Sequence, residues 1–286
     1  MYDILKVENL KKTFDKSDFA LDNVSFVIKK NSIVGFVGKN GAGKSTTINT
    51  ILNALKKDTG QITFFDKHIN NKNEYFRENI GVVFDDAKLP ENLNVTQLNH
   101  VLNNIYSTWN IQDYYKYIEF FQLPKKTKIK NFSKGMRMKI SITVALSHAS
   151  KLLILDEATS GLDIESRQKL LDVIKNFAKQ EDCGVLMSSH IIEDISNICN
   201  EVLFIDNGKI ILNESKSNLI ENYSILIVHS EDEIKNVPVK SIVKKTQVEN
   251  HIALLLNKKV NKQYESRNNK QVTLEEVSKI LVGGSS

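Results

Sequence analysis

The sequence predicts an α/β protein: a core of buried parallel strands, an antiparallel β subdomain beside it, an inserted helical subdomain and a small C-terminal α/β appendage. Three observations carry that reading. Ile33-Val34-Gly35-Phe36-Val37 is an unbroken apolar run, followed by a glycine-rich loop and then by Thr46 to Leu55. That last stretch has helical composition, with Ile48, Ile51, Leu52 and Leu55 on one face. Lys151-Leu152-Leu153-Ile154-Leu155-Asp156-Glu157 is a second continuous apolar run, the pattern of a parallel strand covered on both faces. Residues 3 to 31 instead alternate apolar and polar (Leu5, Val7; Val24, Phe26, Ile28), the period of antiparallel strands.

The remaining elements follow in chain order. Ile62-Thr63-Phe64-Phe65-Asp66-Lys67 reads as a short strand and turn belonging to the antiparallel sheet. From Asn94 to about Ala149 the pattern turns helical and aromatic-rich, with Trp109, Tyr114, Tyr115, Tyr117, Phe120 and Phe121 expected to form a core of their own. The helical subdomain is expected over approximately 86–150. The parallel core resumes with strands ending at Glu157 and Ser189, and Val202 to Gly208 reads as a hairpin. The division expected is 1–221 for the main domain and 222–286 for the appendage. In the latter, Tyr223–His229 and His251–Leu256 look like strands and Thr273–Val277 like the start of a last helix. Gly283-Gly284-Ser285-Ser286 reads as a flexible tail or an expression remnant.

Composition narrows the class. With 286 residues and 41% hydrophobic content the chain can bury a sizeable core. No apolar stretch approaches the roughly 18 residues of a spanning helix, and Ile252 to Leu256 is only strand-length. Met1-Tyr2-Asp3-Ile4 opens into a strand-like segment with no signal-peptide pattern, so a cytosolic site is expected. Cys183 and Cys199 lack metal-ligand spacing and read as packing residues. The net charge of +5 is mild. Clusters such as Lys125-Lys126-Thr127-Lys128 and Lys244-Lys245 read as solvated faces that would also suit an anionic leaflet. Aromatic interleaving of the kind that binds nucleic acid is not evident, so no nucleic-acid partner is expected.

Chemistry concentrates at the glycine loop. Gly38-Lys39-Asn40-Gly41-Ala42-Gly43-Lys44-Ser45 fits G-x-x-x-x-G-K-[ST] in the strand–loop–helix context that the pattern requires. Gly38, Gly41 and Gly43 let successive N–H groups turn toward a triphosphate at the positive end of the helix. Asn40 and Thr46 complete the expected phosphate contacts. Lys44 supplies a point charge to the β- and γ-phosphates, and the Ser45 hydroxyl would ligate Mg²⁺. Two acids ending a buried strand are costly unless they serve a cation or a reaction. Asp156 is therefore expected to hold Mg²⁺, and Glu157 to polarise the water that attacks the γ-phosphate.

Just before that strand, Phe132-Ser133-Lys134-Gly135-Met136 resembles the L-S-G-G-Q signature of ATP-binding-cassette ATPases, departing at Phe132, Lys134 and Met136. The resemblance spans about residues 3 to 220. It implies that the Ser133 hydroxyl and Gly135 N–H, at a helix start, bind the γ-phosphate of ATP held by a second subunit. Ser160-Gly161-Leu162-Asp163 resembles the loop that crosses the dimer interface, with Asp163 its acid. His190 resembles the switch histidine that contacts the γ-phosphate, and Phe14 matches the aromatic that stacks on adenine. At the hinge, where the family carries glutamine, Ile80-Gly81-Val82-Val83-Phe84-Asp85-Asp86-Ala87 has Asp85. An aspartate there could still bind Mg²⁺ but lacks an amide donor. Acidic hinges and F-S-K-G-M signatures occur among small exporters of Gram-positive bacteria.

The resemblance implies an ATP- and Mg²⁺-dependent ATPase subunit at the cytoplasmic face of the membrane. Its partners would be a separately encoded permease, gripped through a groove near residues 84–100, and a second ATPase subunit arranged head to tail. Amphipathic or antimicrobial peptides are the cargo by analogy. The rival reading is a soluble cassette ATPase of DNA repair, translation or assembly. Repair members insert hundreds of coiled-coil residues between loop and signature, whereas here about 89 positions separate Lys44 from Ser133. Translation members usually carry two cassettes in one chain. A phosphate-loop kinase would leave Ser133, Asp163 and His190 unexplained.

Overall fold

Three sheets organise the chain, which the computed structural model describes over residues 3–15, 17–69, 74–86, 89–235, 237–248, 251–259 and 272–283. β1 (Asp3–Phe14) and β2 (Ser17–Lys29) pair antiparallel, as their alternation requires. β3 (Ile33–Val37) is buried along its whole length and leads through the glycine loop into α1 (Lys44–Ile51). The helix stops short of Leu55, because Asn53 takes a left-handed conformation (φ 58°) and its N–H closes back on the Thr50 carbonyl at 3.1 Å. Asparagine tolerates that conformation better than most residues. β4 (Thr59–Phe64) and β5 (Lys67–His68) complete a four-stranded sheet of order β2-β1-β4-β5.

α2 (Glu74–Glu78) precedes β6 (Ile80–Val83), after which α3 (Val95–Ile105), α4 (Ile111–Phe120) and α5 (Lys134–Leu146) form the helical lobe. Asn94 and Gln97 make a reciprocal capping box at the start of α3, and Asn110 caps α4 through the N–H groups of Gln112 and Asp113. The aromatic stripe divides: Tyr114 and Phe121 are buried, while Phe120 is 46% exposed. Inside the lobe the Tyr114 hydroxyl donates to the Val95 carbonyl at 2.9 Å, tying α4 to the first residue of α3. Tyr114→Phe should cost about 1 kcal/mol, the net worth of one buried hydrogen bond. An unchanged urea midpoint would show that the bond contributes nothing.

β7 (Leu152–Asp156), α6 (Ile164–Ala178), β8 (Gly184–Ser188), α7 (Ile192–Ile198), β9 (Glu201–Asp206) and β10 (Lys209–Ser215) complete the core. Its six strands run β10-β9-β3-β8-β7-β6, parallel except for the edge hairpin of β9 and β10. Ser188 of β8 stands in register with Phe36 of β3 and Asp156 of β7. The glycine loop, the two acids and the histidine therefore leave adjacent carboxyl ends of one sheet, where open α/β sheets bind ligands.

The C-terminal segment contains α8 (Lys216–Asn222), β11 (Tyr223–Val228), α9 (Glu231–Ile234), β12 (Ile242–Val248), β13 (His251–Asn257) and α10 (Leu274–Val282). Its sheet has the order β11-β13-β12. β12 carries the Lys244-Lys245 pair and was not anticipated, because both lysines leave the strand for surface acids, Lys244 reaching Asp206 at 3.2 Å and Lys245 pairing with Glu231. β13 is covered on both faces: Ala253 and Leu255 join the main core, whereas Ile252, Leu254 and Leu256 pack with Val228 and Val237. Both cysteines are buried free thiols, their pKa raised by desolvation. The opening Met1-Tyr2, hinge residue Ala87 and the tail residues Gly284, Ser285 and Ser286 lie outside the described residues.

Candidate active site

The loop backbone explains its glycines. Gly43 has φ 115°, a region L-residues rarely adopt, and a Cβ on it would stand 2.9 Å from a Leu21 methyl. The same turn starts α1, whose Lys44 folds back so that its ammonium donates to the carbonyls of Gly38 (2.6 Å) and Lys39 (3.2 Å). Lys44 is only 6% exposed. Desolvation lowers its pKa, opposed by the nearby carboxylates of Glu157 and Asp156. Glu157 Oε1 lies 3.9 Å away.

Asp156 is held by two hydroxyls. Ser45 Oγ donates to one carboxylate oxygen at 2.8 Å and Ser188 Oγ to the other at 2.6 Å. Ser45 and Asp156 are hard oxygen donors of the kind magnesium takes. Among the described residues no cluster of three or more His, Cys, Asp or Glu side chains could cage a metal. The donor set thus fits a cation that completes its shell with phosphate oxygens and water.

Glu157 sits at φ 56°, strained for a residue with a side chain, and such strain gathers at functional sites. Its N–H is shared between the carbonyl and hydroxyl of Ser188, at 3.2 and 3.1 Å. One carboxylate oxygen accepts from the His190 backbone N–H at 3.2 Å and lies 2.5 Å from the imidazole Nδ1. The acid ending β7 and the histidine following β8 form one unit, beside the lysine that begins α1.

Lys44, Ser45 and Glu157 border a cleft of about 580 Å³ that Phe14, Phe19, Lys39, Asn40, Gly41, Gly43 and Thr46 also line. Phe14 stands at its edge, 6.2 Å between ring centroids from Phe19. Asp58 anchors the strand that bears it, accepting from the Thr13 N–H (2.7 Å) and hydroxyl (2.6 Å), bonds that hold its carboxyl down at about 2. Phe19 was missed by sequence reasoning. Its signal was its place across the hairpin from Phe14, which pairs with Ser17.

Ser133, Gly135 and Asp163 do not line this cleft. Ser133 caps α5 by accepting from the Met136 N–H at 3.2 Å. Gly135, in the first turn, faces Leu162 and Gly161, so the signature and the Ser160–Asp163 loop make one patch. The Asp163 carboxylate caps α6, accepting from the Ser166 hydroxyl (2.6 Å) and N–H (2.8 Å), which lowers its pKa. Asp85 is joined to neither Ser45 nor Asp156: it pairs with Lys134 of the signature at 2.6 Å. The two border a separate cavity of about 800 Å³ with Leu89, Pro90, Phe132 and Arg137.

The family model described as ABC transporter matches residues 21–160. The linearmycin resistance ATP-binding protein LnrL of Bacillus subtilis is 32% identical over 222 residues, covering 76% of this chain and 70% of that one. The chain belongs to the ABC transporter ATP-binding family. This ABC ATPase is also 32% identical to the lantibiotic transport ATP-binding protein SrtF of Streptococcus pyogenes, over 73% of its own length and 90% of the relative's. A solved ATP-binding subunit of an ABC transporter superposes with a TM-score of 0.70 at 25% identity, covering 76% of this chain and 91% of that one. Membership makes ATP its nucleotide and ATP hydrolysis coupled to transport its activity. No described helix of this ABC ATPase is long and apolar enough to cross a membrane.

Proposed function

We propose that this chain is the ATPase subunit of an exporter whose membrane-spanning permease is a separate polypeptide, and that it works as a head-to-tail pair at the cytoplasmic face. One observation carries the reading: the cleft holds the loop and Glu157, which His190 meets from outside it, while Ser133 and Gly135 lie elsewhere on their own patch. A second copy turned by two-fold symmetry would bring its patch over the cleft, so that ATP joins the two chains. LnrL is named for linearmycin resistance and SrtF for lantibiotic transport, which supports an antibiotic as cargo, and the SrtF name supports an amphipathic peptide.

Each residue then has a task. Phe14 and Phe19 stack on adenine, and the loop N–H groups and Thr46 hold phosphate oxygens. Lys44 exchanges the Gly38 and Lys39 carbonyls for the β- and γ-phosphates. Mg²⁺, held by Ser45 and Asp156, would supply charge neutralisation to the phosphates. Glu157 accepts the proton of the attacking water while His190 orients it. Ser133 and Gly135 close on the γ-phosphate from the other chain, with Asp163 at the seam.

Purification from membranes should recover the chain with an integral membrane protein, and the complex should show ATPase activity that responds to an amphipathic peptide antibiotic. Recovery only with ribosomes or DNA would replace the exporter with a soluble cassette ATPase.

Asp85 enters this cycle as a hinge sensor for Mg²⁺ and the γ-phosphate. Its ion pair with Lys134 must open for the carboxylate to reach the metal. Asp85→Ala should lower cargo-coupled kcat several-fold while ATP affinity stays constant, and Asp86→Ala should do little. Wild-type kinetics in the reconstituted Asp85→Ala complex would reduce this acid to ordinary surface.

A further inference from the structure

The phosphate loop has a second cavity beside it, of about 860 Å³. Lys39 and Asn40 line both this cavity and the nucleotide cleft. His190 and Ile192 extend the same wall, and α10 of the C-terminal segment supplies another through Ser278 and Lys279. The helix is well anchored there. Thr273 and Glu276 form a capping box at its start, and the Thr246 hydroxyl of β12 donates to the Ile280 carbonyl at 2.7 Å.

α10 also packs on α7, the helix that begins two residues after His190. The other sides of α7 are tightly held. A Cβ on Gly35 of β3 would stand 2.4 Å from a methyl of Ile195, and Arg167 of α6 donates to the fully buried Asp194 at 2.6 Å. β3 and α6 thus hold the core side of α7, while α10 packs on it from elsewhere and shares a cavity with Ser189, His190 and Ile191. That connection delivers an imidazole 2.5 Å from Glu157, where displacements near 1 Å change rates by about a hundredfold.

We propose that α10 is a positioning element for His190, through which the C-terminal segment sets the turnover rate of the ATP site. The proposal rests on the roles assigned above to His190 and Glu157, and the experiment separates the two. Ser278→Phe places bulk in the cavity from a nearly buried position. Lys279→Trp does so from an exposed position of α10, where folding is not at stake. Ser278→Ala is the conservative control. All are made in the full chain, alone and with His190→Ala, and read by kcat, ATP Kd and Tm.

Both bulky variants should lower kcat by about tenfold with Kd unchanged, and Ser278→Ala should match wild type. In the His190→Ala background the bulky variants should change kcat by less than about twofold, because the residue through which they act is gone. The same fold loss in both backgrounds, or no loss in the wild-type background with either variant, overturns the positioning role and leaves His190 in place. Full turnover by His190→Ala alone removes the assigned role of the histidine, and the proposal with it.

Discussion

Replacing Glu157 by glutamine should leave ATP binding intact and slow turnover by about two orders of magnitude or more, the scale of a lost general base. The substitution isolates chemistry from architecture. Glutamine has the same shape, and its carbonyl oxygen can accept the His190 N–H groups that the carboxylate accepts at 3.2 and 2.5 Å. The shared hydrogen bonds of the Glu157 N–H to Ser188 involve only backbone at position 157 and are untouched. What disappears is the ability to take a proton from water. With hydrolysis stalled, the ATP-joined pair should persist in the presence of Mg²⁺, visible as a dimer by size-exclusion chromatography. Steady-state phosphate release near the wild-type rate would take Glu157 out of its role.

Lys44→Ala removes a nearly buried ammonium and should weaken ATP binding by about two orders of magnitude, the worth of one or two charge-assisted hydrogen bonds. Ser133→Ala should leave monomer affinity unchanged and impair closure, since Ser133 lies outside the cleft of its own chain. That substitution also deletes the cap of α5, worth about 1 kcal/mol, so Tm is measured alongside. Pairs mixed from the two variants decide the geometry. With the lesions on opposite chains, both fall in one composite site and the other stays whole. With both on one chain, each site carries one lesion. ATPase activity that follows only the dose of mutant chain, whatever the arrangement, would refute the head-to-tail pair.

Local grammar made much of the site legible. The phosphate loop, the acids ending β7 and the histidine following β8 each declare themselves within a few residues. Each combines a buried apolar strand with groups that cannot be buried without a task. Parallel strands starting from similar depth then bring their carboxyl ends together, so the convergence of Ser45, Asp156, Glu157 and His190 follows from the strand assignments. Phe14 is legible as an aromatic but not as half of a pair, because Phe19 reaches the cleft only through the β1–β2 hairpin.

By itself the sequence determined the α/β class and the order in which the candidate groups follow their strands, since these depend on contiguous residues and on the periodicity of burial. Only the tertiary structure decided where the polar exceptions go. Asp85 reads as a hinge acid free to meet a metal, yet Lys134, distant in sequence, neutralises it at 2.6 Å. Lys244 and Lys245 read as a solvated cluster, yet they lie on a strand, because their long stems carry the charges to Asp206 and Glu231 while the backbone pairs with β13. In each case the partner lies on another element, and ion pairs have no periodicity from which a sequence could announce them. The approach of α10 to the connection bearing His190 is of the same kind: it arises from the packing of a C-terminal helix on α7, and no local pattern encodes it.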